Sequence, residues 1–144
     1  MASSKKNDVI SEASPHTIKK FELISEYVKA WVNILMLNPK CKGIVYIDCM
    51  SNSGVYRDES GKEIEGTPLL VSEIIAEAMT RYTGKQAYLY FNDKDQNKID
   101  LLAKILIDRK FPYPKSLYAV EDTLRIVTKK TALIFQWEQS IPAK

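Results

Sequence analysis

The sequence predicts an α/β protein with an open, mostly parallel, Rossmann-like sheet, incomplete in extent and preceded by a helix. Two observations predict this fold class. Short apolar runs without helical spacing alternate with segments whose apolar residues recur every three or four positions. Each strong strand-like run is followed by a helix start, as in parallel crossovers. With 144 residues, 45% of them hydrophobic, the chain has enough apolar material for one core. We therefore expect a single domain.

The N-terminal part of the chain divides into a leader and a helix. Residues 1–14 are rich in Ser, Lys, Asn and Glu, which predicts a flexible leader, and residues 15–144 form the predicted domain. Ser14-Pro15 is a typical helix start, because serine caps free amides and proline fits the first turn. One helix face is then predicted to carry Ile18, Phe21, Ile24, Val28, Trp31 and Leu35.

Two apolar runs predict the central strands. Gly43–Ile47 is nearly continuous in apolar residues, which is typical of a strand buried on both faces of a parallel sheet, and it ends at Asp48. Ala87–Phe91 is similar and leads into Asp93. Helices are predicted to start at Thr67-Pro68 and at the capping residue Asp95.

The C-terminal third carries weaker signals. We predict strands at Leu117–Val120 and Ala132–Trp137, separated by a helix-compatible stretch from Thr123 to Lys130. In the strand order 3-2-1-4 expected for such a sheet, Ala132–Trp137 lies beside the first strand with no fifth strand to cover it. Residues 132–137 are therefore predicted to be an exposed edge through which the chain self-associates or binds a partner.

The acids that end the two central strands are the first candidates for a site. Ligands of open α/β sheets bind outside the carboxyl ends of the strands. The small residues from Ser51 to Gly54 favour close approach of a ligand to backbone amides, and Asp93 stands where such folds present a carboxylate to ribose hydroxyls. The alternative is structural, since strand-end aspartates commonly cap the following turn.

Composition excludes several classes of function. Lys and Arg exceed Asp and Glu by only three, and the cations are scattered, so nucleic-acid binding is not supported. The two cysteines, Cys41 and Cys49, lack CxxC spacing and a histidine cluster, so we predict no metal site and a reduced, cytoplasmic chain. No apolar stretch approaches the ~20 residues of a membrane span.

At these residues the sequence resembles the three-Cys-motif partner (TcmP) proteins, a family with a methyltransferase-like Rossmann fold (class I). The resemblance covers about residues 14–107 and rests on four segments in the family's order. They are His16–Lys19 through Tyr27 to Trp31, Tyr46–Asp48 to Gly54–Tyr56, Gly66–Leu70, and Phe91–Asp95.

The resemblance implies an S-adenosylmethionine-type site. The turn from Asp48 to Gly54 would lie under the methionine moiety and Asp93 would hold the ribose. The implied cofactor-binding residues are Asp48, Met50, Asn52, Gly54 and Asp93. The chain departs from the family's Asp-x-Phe-Ala-Gly-Pro-Gly turn at Met50, Asn52 and Ser53. Asn is the best non-glycine residue at positive φ, so the bend is expected to survive at Asn52, while its side chain takes space that a ligand would need.

The family's fourth strand leads to an Asp-Pro motif, whereas here Ile134–Gln139 occupies that position. No catalytic motif can be carried over. We therefore expect either a truncated or divergent TcmP-like protein with a nucleotide site, or a non-catalytic interaction module that uses its sheet edge.

Overall fold

A computed structural model describes residues 9–82, 84–109, 123–129 and 132–138. The predicted leader is shorter than expected, because Ser11–Glu12 forms a strand, β1, and the backbone amide of the buried Ala13 donates to Arg57 O at 2.8 Å. The remaining leader residues, 1–8, lie outside the described part of the chain. The fold is mixed α/β, and its described helices include none long and apolar enough to cross a membrane.

Helix α1, Pro15–Leu37, begins as its sequence predicts. Ser14 is the N-cap, its side chain accepts a hydrogen bond from Thr17 N, and proline occupies the first turn. The buried side chains of α1 are Phe21, Val28, Val32 and Met36. The core stripe is thus rotated from the predicted one, since Ile24 is exposed and Trp31 only partly buried.

The main sheet is built on two parallel strands, β2 (Gly43–Asp48) and β5 (Gln86–Asn92), which pair from Gly43↔Gln86 to Asp48↔Phe91. Helix α2, Thr67–Arg81, connects them, and helix α3, Gln96–Asp108, follows β5. These are the central elements that the periodicity predicts. Between β2 and α2, strands β3 (Val55–Arg57) and β4 (Glu63–Glu65) pair with each other and with β1 in the order β1-β3-β4.

The prediction for the C-terminal strands is wrong in two respects. Thr123–Lys129 is strand β6 and not a helix, and Ala132–Glu138, strand β7, pairs antiparallel with β5 rather than lying beside β2. The main sheet therefore has the order β2-β5-β7-β6. Two residues separate β6 from β7, which permits an antiparallel hairpin but no parallel crossover. The predicted strand Leu117–Val120 lies outside the described residues.

This order also corrects the predicted interaction edge. Strand β7 has hydrogen-bonded neighbours on both sides, β5 and β6, so residues 132–137 are not an edge. Among the described strands, the ends of this sheet are β2 and β6.

Only one face of β2 and β5 is buried. Ile44, Ala87, Leu89 and Phe91 form a single core cluster with side chains of α1, α2 and α3. On the opposite face Val45 and Ile47 are exposed. The predicted burial of β2 on both faces is therefore wrong, because the described helices contribute to the core on one side only.

Candidate functional site

The fold places the two predicted acids at the same edge of the sheet. Asp48 is the last residue of β2 and Asp93 directly follows β5. Because β2 and β5 are parallel neighbours, with Asp48 paired to Phe91, the two carboxyl ends meet. This is the edge at which open α/β sheets bind ligands.

The turn after β2 has the backbone bend predicted for it. Asn52 is the only described non-glycine residue at positive φ, with φ 58°, and Gly54 follows at φ 80°. The Asn52 side chain folds back onto the protein, where Oδ1 accepts from Ser53 N at 2.7 Å and Nδ2 donates to Ser11 Oγ at 2.9 Å. The amide is thus engaged with β1.

Gly54 has a packing role besides its conformational one. A Cβ at this buried position would lie 3.0 Å from Leu102 Cδ1 and 3.0 Å from Leu69 Cγ. The absence of a side chain lets the turn pack directly on α2 and α3. Gly54 therefore shapes the site by fixing the turn against the core.

Asp93 braces two loops. Its Oδ2 accepts from Asn52 N and its Oδ1 accepts from Asp95 N, both at 2.9 Å. The loops are also joined by Ser51 N, which donates to Asn92 O at 2.9 Å. Asp93 therefore makes the contacts of an aspartate that caps the turns after its strand, which was the structural alternative to ligand binding. Each carboxylate oxygen has two lone pairs, so acceptor capacity for a ligand hydroxyl remains.

Among described residues, the Asp48 carboxylate accepts one hydrogen bond, whereas that of Asp93 accepts two. Asp48 Oδ1 accepts from Met50 N at 3.0 Å, which closes a tight turn. Burial raises the pKa of Asp48, the Met50 hydrogen bond opposes that shift, and the charge of Asp93 adds to it. Among the ion pairs formed by described residues, none involves Asp48 or Asp93.

A cavity of about 330 Å³ opens beside Asp48. Its lining includes β2 and the following turn, through Tyr46, Ile47, Asp48, Cys49, Met50 and Ser51. Helix α1, strand β3 and the start of α2 supply the rest, through Phe21, Ile24, Tyr56, Thr67 and Pro68. The volume lies at the low end of the range for small-molecule sites.

Three aromatic residues, Phe21, Tyr46 and Tyr56, line the cavity together with Asp48. Tyr56 packs on Phe21, with ring centroids 4.8 Å apart, and Tyr46 lies in the strand that ends at Asp48. Burial and the charge of Asp48 raise the pKa of Tyr46, and burial together with the charges of Asp48 and Asp93 raises the pKa of Tyr56. Both phenols therefore stay protonated at neutral pH, and a carboxylate among aromatic faces favours a cationic ligand.

The structure brings the predicted residues together only in part. Asp48 and Met50 line the cavity, whereas Asn52, Gly54 and Asp93 are not among its lining residues and instead hold the shape of the turn. Sequence reasoning missed Phe21, Ile24 and Pro68, because their contribution depends on how α1 and α2 pack. Tyr56, two residues beyond the turn, also lines the cavity.

The part of the chain that the structure describes contains no group of three or more His, Cys, Asp or Glu side chains able to hold a metal ion. Comparison of this chain with protein-family models, with curated proteins and with solved structures produced no match.

Replacing Asp48 by Asn is expected to stabilise the protein at neutral pH. The raised pKa means that folding disfavours the charged carboxyl, and this cost is present above the folded-state pKa and vanishes below the unfolded-state value of about 3.9. Asn keeps an oxygen that accepts from Met50 N. Urea unfolding should show Asp48→Asn more stable than wild type at pH 7, with a gap that closes as the pH falls towards that value.

The matched control is Asp100→Asn on the exposed surface of α3, where the Asp100 carboxylate accepts from Gln96 Nε2. An Asn there also keeps its acceptor, so little change is expected at any pH. An Asp48→Asn variant less stable than wild type at pH 7 would contradict the assignment of a desolvated carboxylate.

Proposed function

We propose that this protein binds S-adenosylmethionine or a closely similar adenosyl compound at the carboxyl edge of β2 and β5, as a methyltransferase-like domain similar to the TcmP proteins. The observation that carries the proposal is the position of Asp48, a desolvated acid that forms no ion pair with another described residue, at the cavity lined by the rings of Phe21, Tyr46 and Tyr56. S-Adenosylmethionine carries a sulfonium and an ammonium group, and both complement such a surface.

The carboxylates and aromatic faces of the site suit the charged and hydroxyl groups of this ligand. The cavity accepts the methionine moiety, with Asp48 and the aromatic faces stabilising its positive charge. Asp93 offers its remaining acceptor capacity to the two hydroxyls of a ribose. When bound, such a cofactor would supply an electrophilic methyl group.

The proposal concerns binding and assigns no catalytic residue. The side chains at the site hold and orient a ligand. Tyr46 and Tyr56 donate hydrogen bonds rather than act as bases at neutral pH, because the pKa of each phenol is raised.

Isothermal titration of the full chain with S-adenosylmethionine and with its demethylated product tests the proposal. The product lacks the sulfonium charge, so we expect it to bind about tenfold more weakly, as the loss of one cation–π and ion-pair contribution of about 1–2 kcal/mol implies. Asp48→Asn should reduce that preference. No heat and no thermal shift with either compound would overturn the proposal.

Binding of ligand fragments measures the contributions of Asp48 and Asp93 separately. Methionine methyl ester, a cationic probe, should depend on Asp48, and adenosine should depend on Asp93. Asp93→Asn keeps one acceptor oxygen, Oδ1, and replaces the acceptor Oδ2 by an NH₂ group. Because fewer acceptors remain for the ribose hydroxyls, we expect this variant to weaken adenosine binding roughly tenfold or more. Thermal unfolding of the same variant shows whether the brace to Asn52 persists.

A further inference from the structure

Helix α1 carries a second apolar stripe that faces solvent. Its members recur at alternating intervals of four and three residues, which is the repeat of a coiled-coil seam. They are Leu23, Tyr27, Ala30, Ile34 and Leu37. The four large side chains are 71%, 70%, 69% and 70% exposed, respectively, and Ala30 is exposed as well.

The outer stripe, as we call these five residues, lies opposite the buried stripe of α1. Phe21, Val28, Val32 and Met36 enter the core, so the helix is apolar on two sides. Single exposed apolar residues are ordinary, but a continuous line of several hundred Å² marks an interaction surface. No element among the described residues covers it.

We propose that the outer stripe is a dimer interface, occupied by α1 of a second copy of this chain in antiparallel orientation. The stripe is complementary to itself in that orientation. Tyr27 of one copy meets Ala30 of the other, and Leu23 meets Ile34, each pair occurring twice about the two-fold axis. At the two central Tyr27–Ala30 layers a large side chain thus packs against a small one, and the outer Leu23–Ile34 layers pair side chains of similar size.

A parallel arrangement of the same helices is less favourable. It would set Tyr27 against Tyr27 and Ala30 against Ala30, with crowding in one layer and a void in the next. It would also align the two helix dipoles, whereas the antiparallel arrangement opposes them.

The residues beside the seam support the antiparallel register. Ile24, which is 40% exposed, would face Trp31 of the other copy on one flank, and Glu26 would face Asn33 on the other. Lys20 would lie beside Leu37, where its aliphatic stem covers apolar surface while the ammonium group reaches water. No like charges oppose each other across these pairs.

The size of the interface predicts a weak dimer. Stable interfaces bury about 800 Å² per partner, and a single stripe of four large side chains, flanked by Ile24 and the stem of Lys20, is small by that measure. We therefore expect a dissociation constant on the order of micromolar. The dimer interface and the cavity share Ile24, but the two proposals are tested separately, because the readout for the dimer is mass.

Sedimentation velocity of the full chain over a concentration series tests the dimer. Wild type should show a concentration-dependent equilibrium between monomer and dimer. Ile34→Glu should weaken association roughly 100-fold, because two-fold symmetry removes two buried isoleucines at once. The matched control is Ile107→Glu on α3, where an isoleucine 55% exposed lies outside the outer stripe, and it should dimerise like wild type.

A size swap tests the register. Ala30→Tyr alone should abolish the dimer, because the introduced ring would meet Tyr27 of the other copy. The double variant Tyr27→Ala with Ala30→Tyr exchanges the large and small positions and should restore it. Circular dichroism checks that each variant is folded, which the exposure of both positions favours.

Three results would overturn the proposal. They are a wild type that is monomeric throughout the series, equal weakening by Ile34→Glu and Ile107→Glu, and a monomer that instead binds anionic phospholipid vesicles through Ile34. The last would assign the outer stripe to a membrane surface.

Discussion

Truncation of Phe91 to Ala is expected to lower the free energy of unfolding by about 3–5 kcal/mol, as removal of a fully buried phenyl ring does in other cores. Phe91 is 1% exposed and lies in β5, which has hydrogen-bonded neighbours on both sides. Its ring packs in a tilted orientation on Tyr46, with centroids 6.3 Å apart. Since domains of this size have ~5–15 kcal/mol of stability in total, this variant should be marginally folded.

The adjacent residue supplies the control. Tyr90 points to the opposite face of β5 and is 37% exposed, so Tyr90→Ala should cost about 1 kcal/mol or less by comparison. Urea unfolding of both variants, with tryptophan fluorescence and far-UV circular dichroism as probes, measures the difference. Equal costs would contradict a sheet that is covered on one face only.

Local signals in the sequence predicted the elements that depend on local physics. The run Gly43–Ile47 became β2, Ala87–Phe91 became β5 extended by one residue at each end, and the caps Ser14 and Asp95 start α1 and α3. Caps, proline positions and apolar spacing act within a few residues, so a single sequence contains them.

Pairing between distant segments was not predictable in the same way. Thr123–Lys129 is rich in β-branched residues, which favoured β6 over a helix once β7 was available as a partner. That β7 would pair with β5 rather than lie beside β2 depends on the whole chain. The exposure of Val45 and Ile47 has the same origin, since apolar composition alone does not say which face is covered.

In the candidate site too, features set by nearby residues were predictable and features set by tertiary packing were not. The positive φ of Asn52 followed from the tolerance of asparagine for that conformation. The hydrogen bond from Asn52 N to Asp93 spans 41 residues, and the contribution of α1 to the cavity comes from tertiary packing. Spacing placed both acids at one edge of the sheet, but it did not show which would line a cavity and which would brace a loop.

Replacement of Gly66 by Ala is expected to cost about 2–3 kcal/mol of stability and to reshape the cavity at the same time. Gly66 caps α2 with an extended backbone at φ −92°, so alanine meets no backbone strain there. Its Cβ, however, would lie 2.3 Å from Tyr56 Cε2 and 2.8 Å from Tyr56 Cδ2. Overpacking of this kind costs about 1–3 kcal/mol, and alanine is also a poorer N-cap than glycine.

The clash must be relieved by movement of the Tyr56 ring, because Gly66 N is held by a 2.7 Å hydrogen bond to Gly54 O. That ring packs on Phe21 and lines the cavity. Gly66→Ala should therefore weaken ligand binding as well as folding.

A double-mutant cycle isolates the steric cause. In a Tyr56→Ala background the added methyl group meets no ring, so Gly66→Ala should cost only the cap difference of less than ~1 kcal/mol. Gly61→Ala, where a Cβ would have no atom within 4 Å, reports the cost of a positive φ without a clash. If Gly66→Ala costs as much in the Tyr56→Ala background as in wild type, its effect lies in the helix cap, and the close approach of Gly66 to Tyr56 does not determine the shape of the cavity.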